Sequence, residues 1–255
     1  MGDSYNRIAK AADHVEELLG GNARQGWMPQ LDLVAQFDKG LRVVRRVTRS
    51  ATVEDLRDAL IEVRVGVCLF GMSFSVEAEP RGRTGPDYRA VRGELDFLIE
   101  VTRLRSVHEE PPVATTPEEI PEMLPPIGNV ERDVRRMRQK IESKFGQLDY
   151  PVSSILIVWN DQDSTFEGEA KTAMWQIVED VRRKLLAPPE RLEFLLYSSP
   201  WTSCETRRQF HTYALTQAPA PQISSWRAEW EMATVGDLVD YALARGRGDV
   251  RGHRA

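Results

Sequence analysis

The chain of 255 residues sets 34 Lys and Arg against 39 Asp and Glu, a net charge of −5, with 41% hydrophobic residues. No apolar stretch approaches the ~18 residues of a membrane-spanning helix, and the opening MGDSYNRIAKAADHVEELLGG lacks the apolar centre of a secretory signal, so a cytoplasmic protein with no membrane partner is expected. Cys68 and Cys204 lie too far apart for a disulfide framework or a zinc knuckle, and the acidic balance excludes a uniformly basic nucleic-acid coat while allowing a basic groove on an acidic body.

In chain order, the pattern predicts a helix at 4–19, a basic segment at 39–50 (KGLRVVRRVTRS) and a helix at 53–70. Thr52 followed by Asp55 has the capping-box form that starts the last of these. Extended runs follow at 73–79, 87–91 and 95–104, separated by Gly82, Gly85, Pro86 and Gly93, which is hairpin spacing. From His108 to Pro126 six prolines in nineteen residues forbid a regular helix or a central strand, so this stretch is expected to be a long loop. A helix at 130–148 comes next, then VSSILIVWN at 152–160, a continuous apolar run typical of a strand covered on both faces. A helix at 167–186, a strand at 192–198, a short helix from the Thr202/Glu205 capping box, a helix at 235–245 and a basic, frayed tail complete the chain. The expected fold is α/β, a mixed sheet with helices on both sides. Three segments are expected: a helical and basic 1–52, an α/β core at 53–200, and a helical extension with a basic tail at 201–255.

The stretch GPDYRAVRGELDFLIEVTR places Asp87 at the start of one strand and Glu100 deep in the next. A hairpin turning near Gly93 sets the two opposite one another. Converging carboxylates repel unless a cation resolves them, and a hard divalent ion such as magnesium asks for this pairing. An Asp after Gly-Pro is also a common turn residue, and Glu100 could instead pair with Arg103 or Arg105. On the helix before the strands, ALIEVRVGVCLF is apolar nearly all round except at Glu62 and Arg64, which do not face each other, so Glu62 needs a partner from elsewhere in the fold: a metal or a tertiary salt bridge. In the helix after the loop, Val134, Met137, Ile141, Phe145 and Leu148 form an apolar stripe, and Lys140, Lys144 and Gln147 form a second row at its margin. A long cation there reaches a phosphate or simply snorkels. Asp161 and Asp163, in WNDQDS, are a further acidic pair that turn formation explains more simply.

Together, a helix bearing Glu62, then SFSVEAEP, GPDY, LDFLIEVT and a helix ending KIESKFGQL resemble the PD-(D/E)xK, or restriction-endonuclease-like, nuclease superfamily over roughly residues 53–160. The resemblance implies a restriction-endonuclease-like αβββαβ core, here with extra N- and C-terminal helices. It implies Glu62, Asp87 and Glu100 as carboxylates holding Mg2+ or Mn2+, with the carbonyl of Val101 as a further ligand. The family's lysine is expected two residues after Glu100, where this chain has Thr102. A hydroxyl cannot supply that charge, and the resemblance then points to a lysine migrated to the neighbouring helix, Lys144 or Lys140, with Gln147 placing the substrate. The expected function is metal-dependent hydrolysis of phosphodiester bonds in a nucleic acid, DNA ahead of RNA, with Lys39, Arg42, Arg45, Arg46, Arg49 and the basic residues of 132–144 tracking the backbone. A homodimer would pair two sites on a duplex. The alternative is a nuclease-like module that lost catalysis with its lysine and now binds nucleic acid or protein.

Overall fold

The computed structural model describes residues 2–82, 84–104, 130–160, 167–199, 208–215 and 221–252. Its centre is a six-stranded sheet whose spatial order follows the chain: β1 (Ser75–Ala78), β2 (Tyr88–Arg92), β3 (Leu95–Leu104), β4 (Ser154–Asn160), β5 (Leu192–Ser199) and β6 (Gln209–Ala214). The first three form an antiparallel meander, β3, β4 and β5 run parallel, and β6 returns antiparallel. Parallel neighbours require crossovers, and α5 (Val130–Glu142) and α6 (Glu167–Arg182) lie in the two that join β3 to β4 and β4 to β5. The mixed sheet flanked by helices is as the sequence predicts.

Each face of the sheet carries its own apolar core. On one, Ile99, Val101, Ile155, Ile157, Phe194 and Leu196 pack beneath α1 (Gly2–Leu19), α2 (Ala23–Ala35), α3 (Leu41–Arg49), α4 (Val53–Gly71), α7 (Pro221–Met232) and α8 (Val235–Gly252). On the other, Leu98, Leu104, Leu156, Val158 and Leu195 pack against α5 and α6. This double coverage explains why all seven residues of β4 are buried and why its sequence does not alternate. Along β3 the alternation survives as a division of labour: Ile99, Val101 and Arg103 face α4, whereas Leu98, Glu100 and Thr102 face the α5 side.

Several elements differ from the sequence expectations. The helix expected over 130–148 ends at Glu142, and its last turn is a 3-10 turn at Phe145–Gln147. Ser143 closes the break by donating its hydroxyl to the carbonyl of Lys140 (2.7 Å), which competes with a continuing helix. The basic segment 39–50 is a helix, and α8 runs to Gly252, beyond the expected end at 245. The sequence reading did not foresee α2, β6 or α7. Pro29 lies inside α2 and Asn22 supplies no side-chain cap, so neither usual signal marked that helix. For α7 the signal was present in Trp226 and Trp230, one turn apart; both are fully buried, with Trp226 stacked on Phe97 at 4.6 Å. The Pro-rich 108–126, Asp161 and Asp163, and Thr202/Glu205 lie outside the described residues.

The segment before α3 is tied to the sheet edge. The Ala78 N–H donates to the carbonyl of Asp38 (2.8 Å), and Lys39 pairs with Glu77. Gly40 caps α3 where the backbone doubles back on α2: a β-carbon there would lie 1.8 Å from the carbonyl oxygen of Val34. Only glycine allows that approach, and it sets where α3 lies. Gly40→Ala should therefore cost about 1–3 kcal/mol through forced backbone displacement, whereas Gly146→Ala, whose β-carbon would meet nothing within 4 Å, should stay within about 0.5 kcal/mol of wild type. Urea unfolding midpoints at unchanged m-value test the pair; equal midpoints would refute the packing argument.

Candidate functional site

The β2–β3 hairpin turns at Gly93, in the left-handed conformation (φ 59°) that glycine adopts without cost. Its register pairs Tyr88 with Ile99 and Arg92 with Leu95, which continues the ladder to place Asp87 opposite Glu100, as the sequence spacing predicts. Asp87 does not simply cap a turn. Its Oδ2 accepts the backbone N–H of Val101 at 2.9 Å, which draws the carboxylate across the gap onto β3.

Two further carboxylates close on the same point. Glu62 comes from α4, whose turn is held against β2 by the Tyr88 hydroxyl donating to the Glu62 carbonyl (2.8 Å). Gly66, one turn further along α4, leaves room for that tyrosine: a β-carbon there would lie 2.9 Å from its hydroxyl. Glu79 follows β1 with a positive φ of 47°, uncommon for a residue with a side chain. Its N–H donates to the carbonyl of Asp87 (2.7 Å), fixing the end of β1 to the start of β2.

Two cations meet these carboxylates, one from each face of the sheet. From α3, Arg46 hydrogen-bonds Glu62 through Nη1 and Glu79 through Nη2, and Nη1 lies 3.5 Å from Asp87. From the 3-10 turn after α5, Lys144 Nζ donates to Glu100 Oε1 at 2.7 Å and to Gln147 Oε1 at 3.0 Å. The tertiary partner that Glu62 requires is thus Arg46. Glu100 does not pair with Arg103, which leaves the opposite face of β3 and binds Glu54 and Asp58 on α4; Arg105 lies outside the described residues.

The charges do not balance. Fully ionised, Glu62, Glu79, Asp87 and Glu100 would carry four negative charges against three positive ones, those of Arg46 and Lys144 and, at the margin, that of Arg42, 3.6 Å from Glu79. Glu100 is only 2% exposed, and its Oε2 has no hydrogen-bond partner among the described residues. Burial first, then Asp87, pushes its pKa up to about 8 against the pull of Lys144. Burial and Asp87 likewise push Glu62 well above the ordinary carboxylate range, although Arg46 opposes them. Asp87 is raised by burial, opposed by the Val101 N–H and by Arg46 and Lys144. On Arg46 burial disfavours the charge, but Glu62, Asp87 and Glu79 outweigh it and its pKa rises. The cluster is electron-rich, mostly dry and short of positive charge.

Sequence reasoning brought Glu62, Asp87, Glu100, Lys144 and Gln147 to this region, and the structure places them there. Lys140 is different: it is exposed on α5 and touches none of the carboxylates. Val101 contributes its N–H to Asp87. Thr102 is buried on the Glu100 face, and its hydroxyl has no hydrogen-bond partner among the described residues. Glu79 and Arg46 were missed as site residues. Glu79 sits in the motif SFSVEAEP but follows the strand instead of lying in it, and Arg46 was one of several arginines in a segment read only as basic. Of that segment, Lys39 and Arg46 are engaged with carboxylates, and Arg42 lies 3.6 Å from Glu79. Among the described residues, no three His, Cys, Asp or Glu side chains are placed to hold a metal ion together. No helix of the described residues is long and apolar enough to cross a membrane.

Comparison with protein-family models, curated proteins and solved structures gives no match to the chain. The chemistry of the cluster is what speaks to function.

A pH dependence follows from the buried carboxyls. In the metal-free protein the folded chain keeps a proton on Glu100 up to about pH 8, whereas an unfolded chain releases it near the ordinary 4.5. Between those values the folded state binds more protons, so stability falls as pH rises through the window and levels off above it; Glu62 and Asp87, also raised, act in the same sense. Unfolding free energies measured in EDTA between about pH 5 and pH 8 should fall more steeply for wild type than for Glu100→Gln, by up to about 1.4 kcal/mol per pH unit. Parallel slopes would show that Glu100 does not titrate there.

Proposed function

We propose that the protein is a metal-dependent nuclease with a restriction-endonuclease-like core, hydrolysing phosphodiester bonds of a nucleic acid in the cytoplasm. The observation that carries this reading is the surplus of carboxyl groups over cations around Glu100, whose buried Oε2, beside Asp87, accepts no hydrogen bond among the described residues. One divalent cation offsets that surplus, and carboxylate oxygens are the ligands that Mg2+ and Mn2+ prefer. Asp87 and Glu100 would hold the ion, with Glu62 as a third carboxylate and the Val101 carbonyl as a further oxygen. Bound there, it would supply the positive charge that polarises a phosphate and acidifies a water molecule.

The remaining roles fall to the chain itself. Lys144 stands on the same face of β3 as Glu100 and Thr102, where it compensates spatially for the lysine that the strand lacks. Its ammonium stabilises charge developing on phosphate oxygens. Gln147 accepts a hydrogen bond from that ammonium and fixes where it points. Arg132, Arg136 and Lys140 lead along exposed positions of α5 at four-residue intervals toward Lys144. A row of cations at helical spacing matches a polyanionic strand and makes binding depend on salt. DNA is the favoured substrate, and cutting both strands of a duplex would call for a homodimer.

A second reading has its own support. Arg46 satisfies the two carboxylates that would otherwise be ligands, and Thr102 cannot replace a lysine, both of which suit a nuclease-like module that binds nucleic acid or protein without cutting.

Incubation with plasmid, linear duplex, single-stranded DNA and RNA in Mg2+ or Mn2+ separates the two. Asp87→Asn and Glu100→Gln are each expected to lower cleavage by about 100-fold or more, and Lys144→Ala by about 100-fold. Thr102→Lys placed on Lys144→Ala should recover part of the loss, whereas Lys140→Ala should change only salt-sensitive binding. Binding without metal-dependent cleavage across the substrate panel would favour the non-catalytic module.

A further inference from the structure

We infer that Arg46 is an internal counter-cation, displaced from the carboxylates when a divalent ion binds and then available to a backbone phosphate of the nucleic acid. This rests on the metal-dependent reading above and adds how the site is switched. Arg46 holds the place that a cation would take: its guanidinium contacts Glu62, Glu79 and Asp87 together. A monovalent group satisfies that cluster only in part, because the four carboxyl groups outnumber Arg42, Arg46 and Lys144, and the buried Oε2 of Glu100 accepts no hydrogen bond among the described residues.

The side chain has a route to solvent. Arg46 is 36% exposed at its guanidinium-bearing side chain, while Glu62, Glu79 and Asp87 are 12–14% exposed. It belongs to the row Arg42, Arg45, Arg46 and Arg49, which at spacings of three, one and three residues forms one face of α3, opposite the buried Val43, Val44 and Val47. Arg45 and Arg49 are exposed and make no ion pair among the described residues. Swinging outward, Arg46 would join them. A guanidinium binds phosphate with the same forked geometry that it uses for carboxylate, so one set of donors serves both states. Metal affinity is then lowered in the free protein by the fraction of molecules in which Arg46 has moved away.

Two measurements test this on the full chain. Mn2+ binding, read by titration calorimetry, should tighten about tenfold or more in Arg46→Gln if the displaced state is a minor one; Arg45→Gln, a neighbouring charge that touches no carboxylate, should bind Mn2+ as wild type does. Binding of a duplex oligonucleotide should show, in Ca2+, a log–log salt slope smaller by about 0.9 for Arg46→Gln than for wild type, and equal slopes for the two in EDTA, where Arg46 is engaged by carboxylates. If Arg46→Gln fails to fold, Arg46→Lys keeps the charge but cannot bridge the carboxylates: it should still tighten Mn2+ binding, while its salt slope in Ca2+ stays that of wild type. Unchanged or weakened Mn2+ binding in the Arg46 variants, with binding lost in Asp87→Asn, would overturn the displacement and leave the metal site standing. No Mn2+ binding to wild type or to any Arg46 variant would overturn both.

Discussion

Uncompensated negative charge, held at the rim where β2 and β3 part, is the constraint around which this fold is arranged. Four carboxyl groups share a region that excludes most water, and among the described residues two cations, Arg46 and Lys144, hydrogen-bond them while Arg42 lies at the margin. Isolated buried charges of this kind neutralise themselves by taking up protons, which is the direction in which Glu62, Asp87 and Glu100 are all pushed. A cluster serving stability alone would be better built with matched charges or apolar side chains, since an incompletely paired buried network weakens a core. The cost is intelligible when the positive charge arrives with a ligand.

The sheet makes this convergence possible because its two faces are separately insulated. Glu62 and Arg46 belong to helices packed on one apolar core, and Lys144 and Gln147 follow a helix packed on the other. They can meet only beyond the end of the hairpin ladder, where Asp87 leaves β2 and reaches Val101. Local backbone features hold the meeting point. Gly40 allows α3 to fold back tightly, Tyr88 pins the Glu62 turn of α4, and Glu79 accepts an unfavourable φ while its N–H closes on Asp87. Shifting any of these would separate groups that come from distant parts of the chain.

How much of this was legible in the sequence depended on the range of the interaction. Gly93 between two apolar runs specified the hairpin, and its register then set Asp87 opposite Glu100, because strand pairing is local and has a period of two. The nearly all-round apolar character of α4 marked Glu62 as a residue in need of a partner. Which partner could not be read: Arg46 lies in a helix with three other arginines on its outer face, and only the tertiary turn at Gly40 singles it out. Glu79 was hidden for a different reason, since its role follows from a left-handed backbone conformation that a glutamate does not advertise. Lys144 was legible as a candidate but not distinguishable from Lys140, because an ideal helix through 148 puts both on the same margin. The 3-10 turn separates them, leaving Lys140 in solvent and turning Lys144 to Glu100.

That separation bears on the threonine at 102. A side chain at this position leaves β3 on the same face as Glu100, and its hydroxyl finds no partner there among the described residues. The positive charge on this face comes instead from Lys144, which reaches Glu100 from the segment packed over it. Placement decides for the charge of the whole chain as well. A net −5 describes neither the arginine face of α3 nor the basic row of α5, which lie on opposite sides of the sheet and converge on the acidic rim between them. A polyanion drawn by those two surfaces would be led to the place where negative charge is already in excess. Like charge would oppose any polyanion at that rim unless a cation came with it.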